Sequence, residues 1–283
     1  MKIRTRETGT LDPDSFRAIA ALAYRESGLT LVEQKISMIQ SRLRHRLRDL
    51  GLIDFASYCA LVHSDAGQAE RQHLISALTT NVSQFFREGH HFEALKHEVD
   101  RYLPRLRAGK EMRIWSAGCA NGQEALSVAI TLAEHLPDIA KLNLRILATD
   151  IDPQVVRFAR RGIYPERFMA GVPPFLLSKY FVETRNSSGQ TVFAVGTKLM
   201  NLIYFNELNL LSTWPMTKKF EVIFCRNVVI YFDFETQEKL WSKFHQALTP
   251  QGALFLGHSE RINDPRRHKF SYTGPTSYRA LTG

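Results

Sequence analysis

Three short apolar runs in the second half of the chain each end in residues able to do chemistry. The first, 112–117, leads into Gly118-Cys119-Ala120-Asn121-Gly122-Gln123-Glu124. The second, 142–148, leads into Thr149-Asp150-Ile151-Asp152, and the third, 220–225, into Arg226-Asn227. Glycines at 118 and 122 permit a tight turn and let a ligand approach the backbone with no Cβ in the way. Their spacing is not G-x-G-x-x-G, so a pyrophosphate cradle is poorly supported, and a plain strand-to-helix connection is the competing reading. Asp150 closes its strand, where a carboxylate is placed to accept both hydroxyls of a ribose; Asp152, just before Pro153, reads as a helix cap. All three ends fall at one sheet edge, where open α/β sheets bind ligands. His90-His91 lacks a partner at metal-binding spacing and reads as a capping or surface pair, and Cys225 as a small buried hydrophobe. The sequence contains no P-loop, G-x-S-x-G elbow or H-E-x-x-H, and no metal site is expected.

The elements that must hold these residues follow from periodicity. From Glu111 onward strands alternate with helices (124–136, 153–161, 235–248), and a further strand is expected at 253–257. This pattern predicts a mostly parallel sheet with helices on both faces. It is interrupted by a turn-rich stretch, 186–190, followed by an alternating strand at 191–195, which reads as a small antiparallel β insertion at about 182–205. Residues 1–90 read as an all-α domain. Asp12-Pro13 starts a first helix that Gly28 ends, Thr30 with Glu33 forms a capping box for a second, and shorter helices follow at 54–62 and 68–78. A helix and linker occupy 91–110, and the α/β domain 111–283.

The chain has 283 residues, with 37 Lys+Arg against 28 Asp+Glu for a net charge of +9, and is 44% hydrophobic. These are globular values, and no apolar run reaches the roughly 18 residues a membrane span needs. Residues 1–6 are charged but no apolar stretch follows, so export is not expected. Three well-separated cysteines fit a reducing cytoplasm. The excess charge is concentrated on one predicted helix: Arg42, Arg44, Arg46 and Arg48 lie off the stripe of Ile36, Ile39, Leu43 and Leu47. A solvated polar face and a docking surface for an acidic partner explain that pattern equally well.

Five ordered segments resemble one family. Thr79-Thr80-Asn81-Val82-Ser83-Gln84-Phe85-Phe86-Arg87-Glu88, Trp115-Ser116-Ala117-Gly118-Cys119, Ala148-Thr149-Asp150-Ile151-Asp152, Phe224-Cys225-Arg226-Asn227-Val228 with Ile230-Tyr231-Phe232, and Gly257-His258-Ser259-Glu260 are similar to the signatures of the CheR-type chemotaxis receptor methyltransferases. The resemblance runs from about residue 16 to 281. It implies an all-α N-terminal domain followed by a Rossmann-like α/β methyltransferase domain with a small antiparallel β insertion. It also implies a protein-glutamate O-methyltransferase that moves a methyl group from S-adenosylmethionine to glutamates on chemoreceptor cytoplasmic helices. The products would be γ-glutamyl methyl esters and S-adenosylhomocysteine.

By the same resemblance, Asn81, Ser83 and Arg87 would contact the methionyl part of the cofactor. Gly118 and Glu124 would lie beside it, Asp150 would hold the ribose, and Asn209 and Leu210 would sit at the adenine end. Arg226 and Asn227 would also bind the cofactor and line the methyl-transfer side, with Tyr231 orienting the substrate carboxylate and Arg87 and Arg226 assisting catalysis. Arg42, Arg44, Arg46 and Arg48 would dock the receptor, and the β insertion would take a receptor's C-terminal tether peptide. A cytoplasmic monomer without nucleic-acid partner or membrane insertion is expected. One departure stands out: Gly122-Gln123-Glu124-Ala125-Leu126-Ser127 occupies the place of the family's Gly-Glu-Glu-Pro-Tyr-Ser. Gln123 removes a charge near a cationic ligand, which keeps a non-catalytic receptor-array adaptor of the same fold as an alternative. The pI of about 9.6 keeps a nucleic-acid methyltransferase as another. The chemistry itself needs no general base, because a glutamate with an ordinary pKa of about 4.3 is already ionised at neutral pH.

Overall fold

The structure is a computed structural model that describes residues 9–282; residues 1–6, read above for a leader, lie outside them. The chain divides into two compact units, one formed by residues up to Thr80 with Tyr231–Asp233, the other by Asn81–Ile230 and Phe234 onward.

In the helical unit, α1 (Pro13–Ser27) starts where Asp12 accepts from the N–H groups of Asp14 and Ser15, with Pro13 in the first turn. It ends at Gly28, whose left-handed φ of 72° returns its N–H to the Tyr24 carbonyl. Helices α2 (Ile36–Asp49), α3 (Phe55–His63) and α4 (Gln68–Leu78) follow. Apolar residues at helical spacing close the core: Phe16, Ile19 and Leu22 from α1, Ile39, Leu43 and Leu47 from α2, Tyr58 and Val62 from α3, and Leu74 and Leu78 from α4. The expected capping box does not form. A 3₁₀ turn, Glu33–Lys35, precedes α2, so Thr30 is too early in the chain to cap it; the Thr30 N–H instead donates to the Tyr231 carbonyl at 2.9 Å.

The second unit opens with α5 (His90–Arg107), then β1 (Met112–Ala117), α6 (Gln123–His135), β2 (Leu144–Asp150), α7 (Pro153–Arg161), β3 (Ile163–Pro165), α8 (Pro174–Tyr180), β4 (Phe181–Arg185), β5 (Thr191–Val195), α9 (Thr197–Met200), β6 (Ile203–Glu207), β7 (Phe220–Cys225), α10 (Phe234–Ala247), β8 (Leu248–Leu256), β9 (Phe270–Gly274) and β10 (Ser277–Ala280). Seven strands form one sheet in the order β6-β2-β1-β7-β8-β10-β9, parallel from β6 to β8 and antiparallel where β10 joins. The strand order reverses between β1 and β7, which places a crevice beyond their carboxyl ends. Strands buried on both faces need near-continuous apolar sequence, and every residue of Phe220–Cys225 is buried.

The small antiparallel sheet, β3-β5-β4, begins at Ile163, earlier than the expected 182–205, whereas Ile203–Glu207 pairs with β2 in the main sheet. The turn signal at 186–190 marked only the β4–β5 hairpin. Strand β2 also ends two residues later than its apolar run, so Asp150 is its last residue.

Candidate functional site

The turn after β1 is moulded around its glycines. Gly118 has φ 93° and Gly122 φ 88°, both in the region L side chains avoid. A Cβ on Gly118 would stand 2.2 Å from Val228 Cγ2, and one on Gly122 2.9 Å from both Ala159 Cβ and Tyr164 Oη. The N–H groups of Gly118 and Cys119 both donate to the Thr149 carbonyl at 2.8 Å, which locks the turn to the end of β2. There Asp150 accepts from Ala120 N–H through Oδ2 (2.8 Å) and from Asp152 N–H through Oδ1 (3.0 Å). Each oxygen keeps a lone pair for a further donor. Burial pushes the Asp150 pKa up and the backbone donors oppose it. Asp152 caps α7 through Gln154 N–H, as its position before Pro153 predicts, and its second oxygen accepts from Asn81 Nδ2 at 2.7 Å. Asn121 Nδ2 reaches the Asn81 carbonyl and Gln123 Nε2 the Ser83 carbonyl, at 3.4 and 3.3 Å, so segment 81–83 lies along the same turn.

At the end of β7, Arg226 is almost wholly buried. It pairs with Glu124 and Glu88 at 3.3 Å each, donates to the Arg87 carbonyl, and stands 5.7 Å over the Phe92 ring. Glu124 also accepts from Ser116 Oγ at 2.6 Å. Burial raises the Glu124 pKa, and Arg226 is the main influence holding it down. Arg226 therefore uses its donors within the protein. Arg87 differs: only its Nε approaches an acid, Glu88 at 3.8 Å, and its two terminal nitrogens have no partner among the described residues. Glu88 further binds His258 and lies 3.6 Å from His91 Nδ1. His91 is not a surface residue as expected. It is fully buried against Phe255, its Nε2 3.0 Å from Thr276 Oγ1, on the inner face of α5 with Phe92 and Leu95.

On the far side of Asp150, Leu208 N–H donates to the Asp150 carbonyl at 2.9 Å, which brings Asn209 and Leu210 to the same edge. Asn209 turns its Oδ1 onto Leu211 N–H, and the buried Leu210 offers its carbonyl to Trp214 Nε1 and Lys243 Nζ. Asn81, Ser83, Gly118, Glu124, Asp150, Asn209, Leu210, Arg226 and Asn227 thus lie in one unit, around the ends of β1, β2, β6 and β7. Tyr231 and the arginines of α2 belong to the helical unit.

Sequence reasoning gave Glu260 no role. Its two oxygens accept four backbone N–H groups, from Asn227 (2.8 Å), Gly257 (2.6 Å), Val228 (2.8 Å) and Ile230 (3.3 Å). Only its place in the Gly257-His258-Ser259-Glu260 motif pointed to it.

A glycine turn backed by buried carboxylates, at a switch point of parallel strands, suits a ligand bearing hydroxyls and positive charge. Residues 81–278 match the family model described as CheR methyltransferase, SAM binding domain, and residues 14–79 the one described as CheR methyltransferase, all-alpha domain. The chain belongs to the CheR methyltransferase family. It is 45% identical over 262 residues to a "Probable chemotaxis protein methyltransferase" of Rhizobium etli, covering 92% of this chain and 97% of the relative. It is 38% identical to the "Chemotaxis protein methyltransferase" of Escherichia coli, covering 98% and 94%, and 40% identical to that of Salmonella typhimurium, covering 93% and 88%. Like other members of the CheR family, this is an S-adenosylmethionine-dependent methyltransferase, and the residues present fit that cofactor. Asp150 has acceptor capacity left on both oxygens, and the forked end of Arg87 has no partner among the described residues.

Two docking candidates behave otherwise than expected. Arg42 donates to the carbonyls of Leu78 and Thr79 and to Thr80 Oγ1, closing the carboxyl end of α4. Arg46 forms a two-pronged pair with the buried Glu70 (2.9 and 2.6 Å) and also reaches Asp49. Both face α4, four residues apart, and serve the helical core. Arg44 and Arg48 are exposed and have no acid partner among the described residues. No described helix is long and apolar enough to cross a membrane.

Proposed function

We propose that the chain methylates glutamate side chains on the cytoplasmic helices of chemoreceptors, in the cytoplasm and as a monomer. The support for this substrate is the identity, across more than nine-tenths of the chain, to proteins called chemotaxis protein methyltransferases. The cofactor supplies an electrophilic methyl group on a cationic sulfur. In this reading Asp150 accepts the ribose hydroxyls with its remaining lone pairs, and Asn209 and Leu210 meet the adenine. Glu124 and the turn at Gly118 flank the methionyl part with Asn81 and Ser83, and Arg87 takes its carboxylate in a forked contact.

The substrate glutamate arrives ionised and attacks through one carboxylate oxygen, so the protein has no proton to remove. Charge is neutralised as the ester forms, which a desolvated pocket favours. What the chain contributes is alignment: Tyr231 orients the attacking carboxylate by hydrogen bond, and Asn227 lines that side. Arg226 is a positioning residue, since its donors already hold Glu124, Glu88 and the Arg87 carbonyl.

On α2, Arg44 and Arg48 steer acidic receptor helices. The edge strand β4, exposed along four of its five residues, takes a receptor's C-terminal tether peptide.

Titration calorimetry with S-adenosylhomocysteine on the wild type and on Asp150→Ala tests the pocket, and methyl transfer to receptor fragments tests the substrate. A micromolar wild-type Kd, about −8 kcal/mol, lost in the variant and accompanied by base-labile methyl incorporation, is expected. Binding without incorporation would replace the enzyme reading of this substrate with an adaptor.

A further inference from the structure

Resting on that reading of the site, we infer that Glu260 is the positioning residue that sets the loop after β7 in its catalytic shape. The loop must do something unusual for L residues: Asn227 has φ 59°. Left to itself such a turn would leave the N–H groups of Asn227, Val228 and Ile230 pointing inward with no carbonyl opposite, and buried N–H groups without acceptors are costly. Glu260 supplies both acceptors. Its Oε2 takes Asn227 and Gly257, and its Oε1 takes Val228 and Ile230. A carboxylate has about four acceptor sites, and all four are used.

The fit is tight on the other side too. A Cβ on Gly257 would lie 2.6 Å from Asn227 Nδ2, 2.7 Å from its N and 2.8 Å from Glu260 Oε2, so the backbone at 257 is pressed against the turn. Glu260 itself is 3% exposed. It contacts the loop through backbone N–H groups, so it fixes the path of 227–230, and with it the side chain of Asn227, without touching a reacting group. Successive N–H groups converging on one anion form the kind of concavity that binds free anions elsewhere. Here the protein fills it from within, so a substrate carboxylate is not drawn there.

The test is Glu260→Gln. Whichever way the amide lies, its NH₂ faces two N–H donors, so two of the four hydrogen bonds are lost with little change in volume. Because Asp150, Asn209 and Arg87 are left in place, the S-adenosylhomocysteine Kd should change by less than about threefold, while kcat on receptor fragments at saturating cofactor falls about 100-fold. Glu260→Asp, which keeps the charge and loses one methylene, should fall between the two. A kcat within threefold of wild type in folded Glu260→Gln overturns the assignment. So does a loss that only follows the fraction of folded protein, measured by cofactor-binding stoichiometry. If Glu260→Gln does not fold, Glu260→Asp carries the same test, and an unchanged kcat in that variant overturns it. Wild-type turnover judges the proposed reaction, and the ratio of variant to wild type judges Glu260.

Discussion

Arg46 and Arg48 stand two residues apart on α2, about 200° round the helix, and the structure gives them opposite jobs. Truncating Arg46 to alanine removes a two-pronged ion pair to Glu70 and a bond to Asp49, and leaves Glu70 the Tyr58 hydroxyl at 3.0 Å. Glu70 is 7% exposed, so its orphaned charge cannot simply rehydrate. Breaking a buried pair costs about 3–5 kcal/mol; the 20% exposure of the Arg46 side chain moves the expectation to about 3. For a chain of this size each kcal/mol lowers the melting temperature by roughly 2–4 °C, a fall of roughly 6–12 °C in all. Arg48→Glu should leave the melting temperature within about 2 °C, since surface changes usually cost under about 0.5 kcal/mol. It should instead raise the KM for receptor fragments several-fold, with the S-adenosylhomocysteine Kd unchanged. The assay is a thermal melt beside receptor-dependent methylation for each variant. An Arg46→Ala protein that melts normally but has a raised receptor KM would refute the division of labour. Equal loss of receptor and cofactor affinity in Arg48→Glu would refute docking by that face.

Gly118→Ala should destabilise by about 1–3 kcal/mol, since it puts a Cβ 2.2 Å from a stiff β-branched side chain at φ 93°. Val228→Ala in the same chain should recover the steric part of that loss and leave the backbone part; equal melts for single and double variants would contradict the geometry. His91 is pushed down to about 4, chiefly by burial, with Arg226 and His90 acting in the same direction and Glu88 against it. The unfolded chain therefore takes up a proton between about pH 6.5 and 4 that the folded chain refuses. Stability from this residue is complete above the upper value and declines as pH falls, by at most about 3 kcal/mol. Melts across that range should lose this slope in His91→Gln, and an unchanged slope would remove His91 as its cause.

The parts of the site that could be read from sequence were those that coincide with a change of pattern. Gly118, Asp150 and Arg226 each stand at or beside the point where an apolar strand gives way to polar residues, and strand ends in a parallel sheet share an edge. Asp12 and Gly28 mark the ends of α1 because capping acts over two to four residues. Long-range pairing defeated the same reasoning. Nothing in the spacing of Arg42, Arg44, Arg46 and Arg48 shows that two of them face Glu70 and the end of α4. Glu260 meets backbone N–H groups some thirty residues away, and backbone partners leave no trace in side-chain patterns. The three-stranded sheet escaped in part because β3 is only three residues long.

The last of the described strands, β10, is not at the rim of the sheet: it lies between β8 and β9. During vectorial synthesis β8 therefore emerges with one edge open and keeps it open until Ser277–Ala280 leave the ribosome. The same late segment supplies Thr276 and Pro275, against which buried His91 rests. Completion of the α/β unit must then wait for these residues, whatever helices have already formed. A truncation before Ser277 would leave the β8 edge unpaired and take from β9 its neighbour in the sheet, an invitation to aggregate.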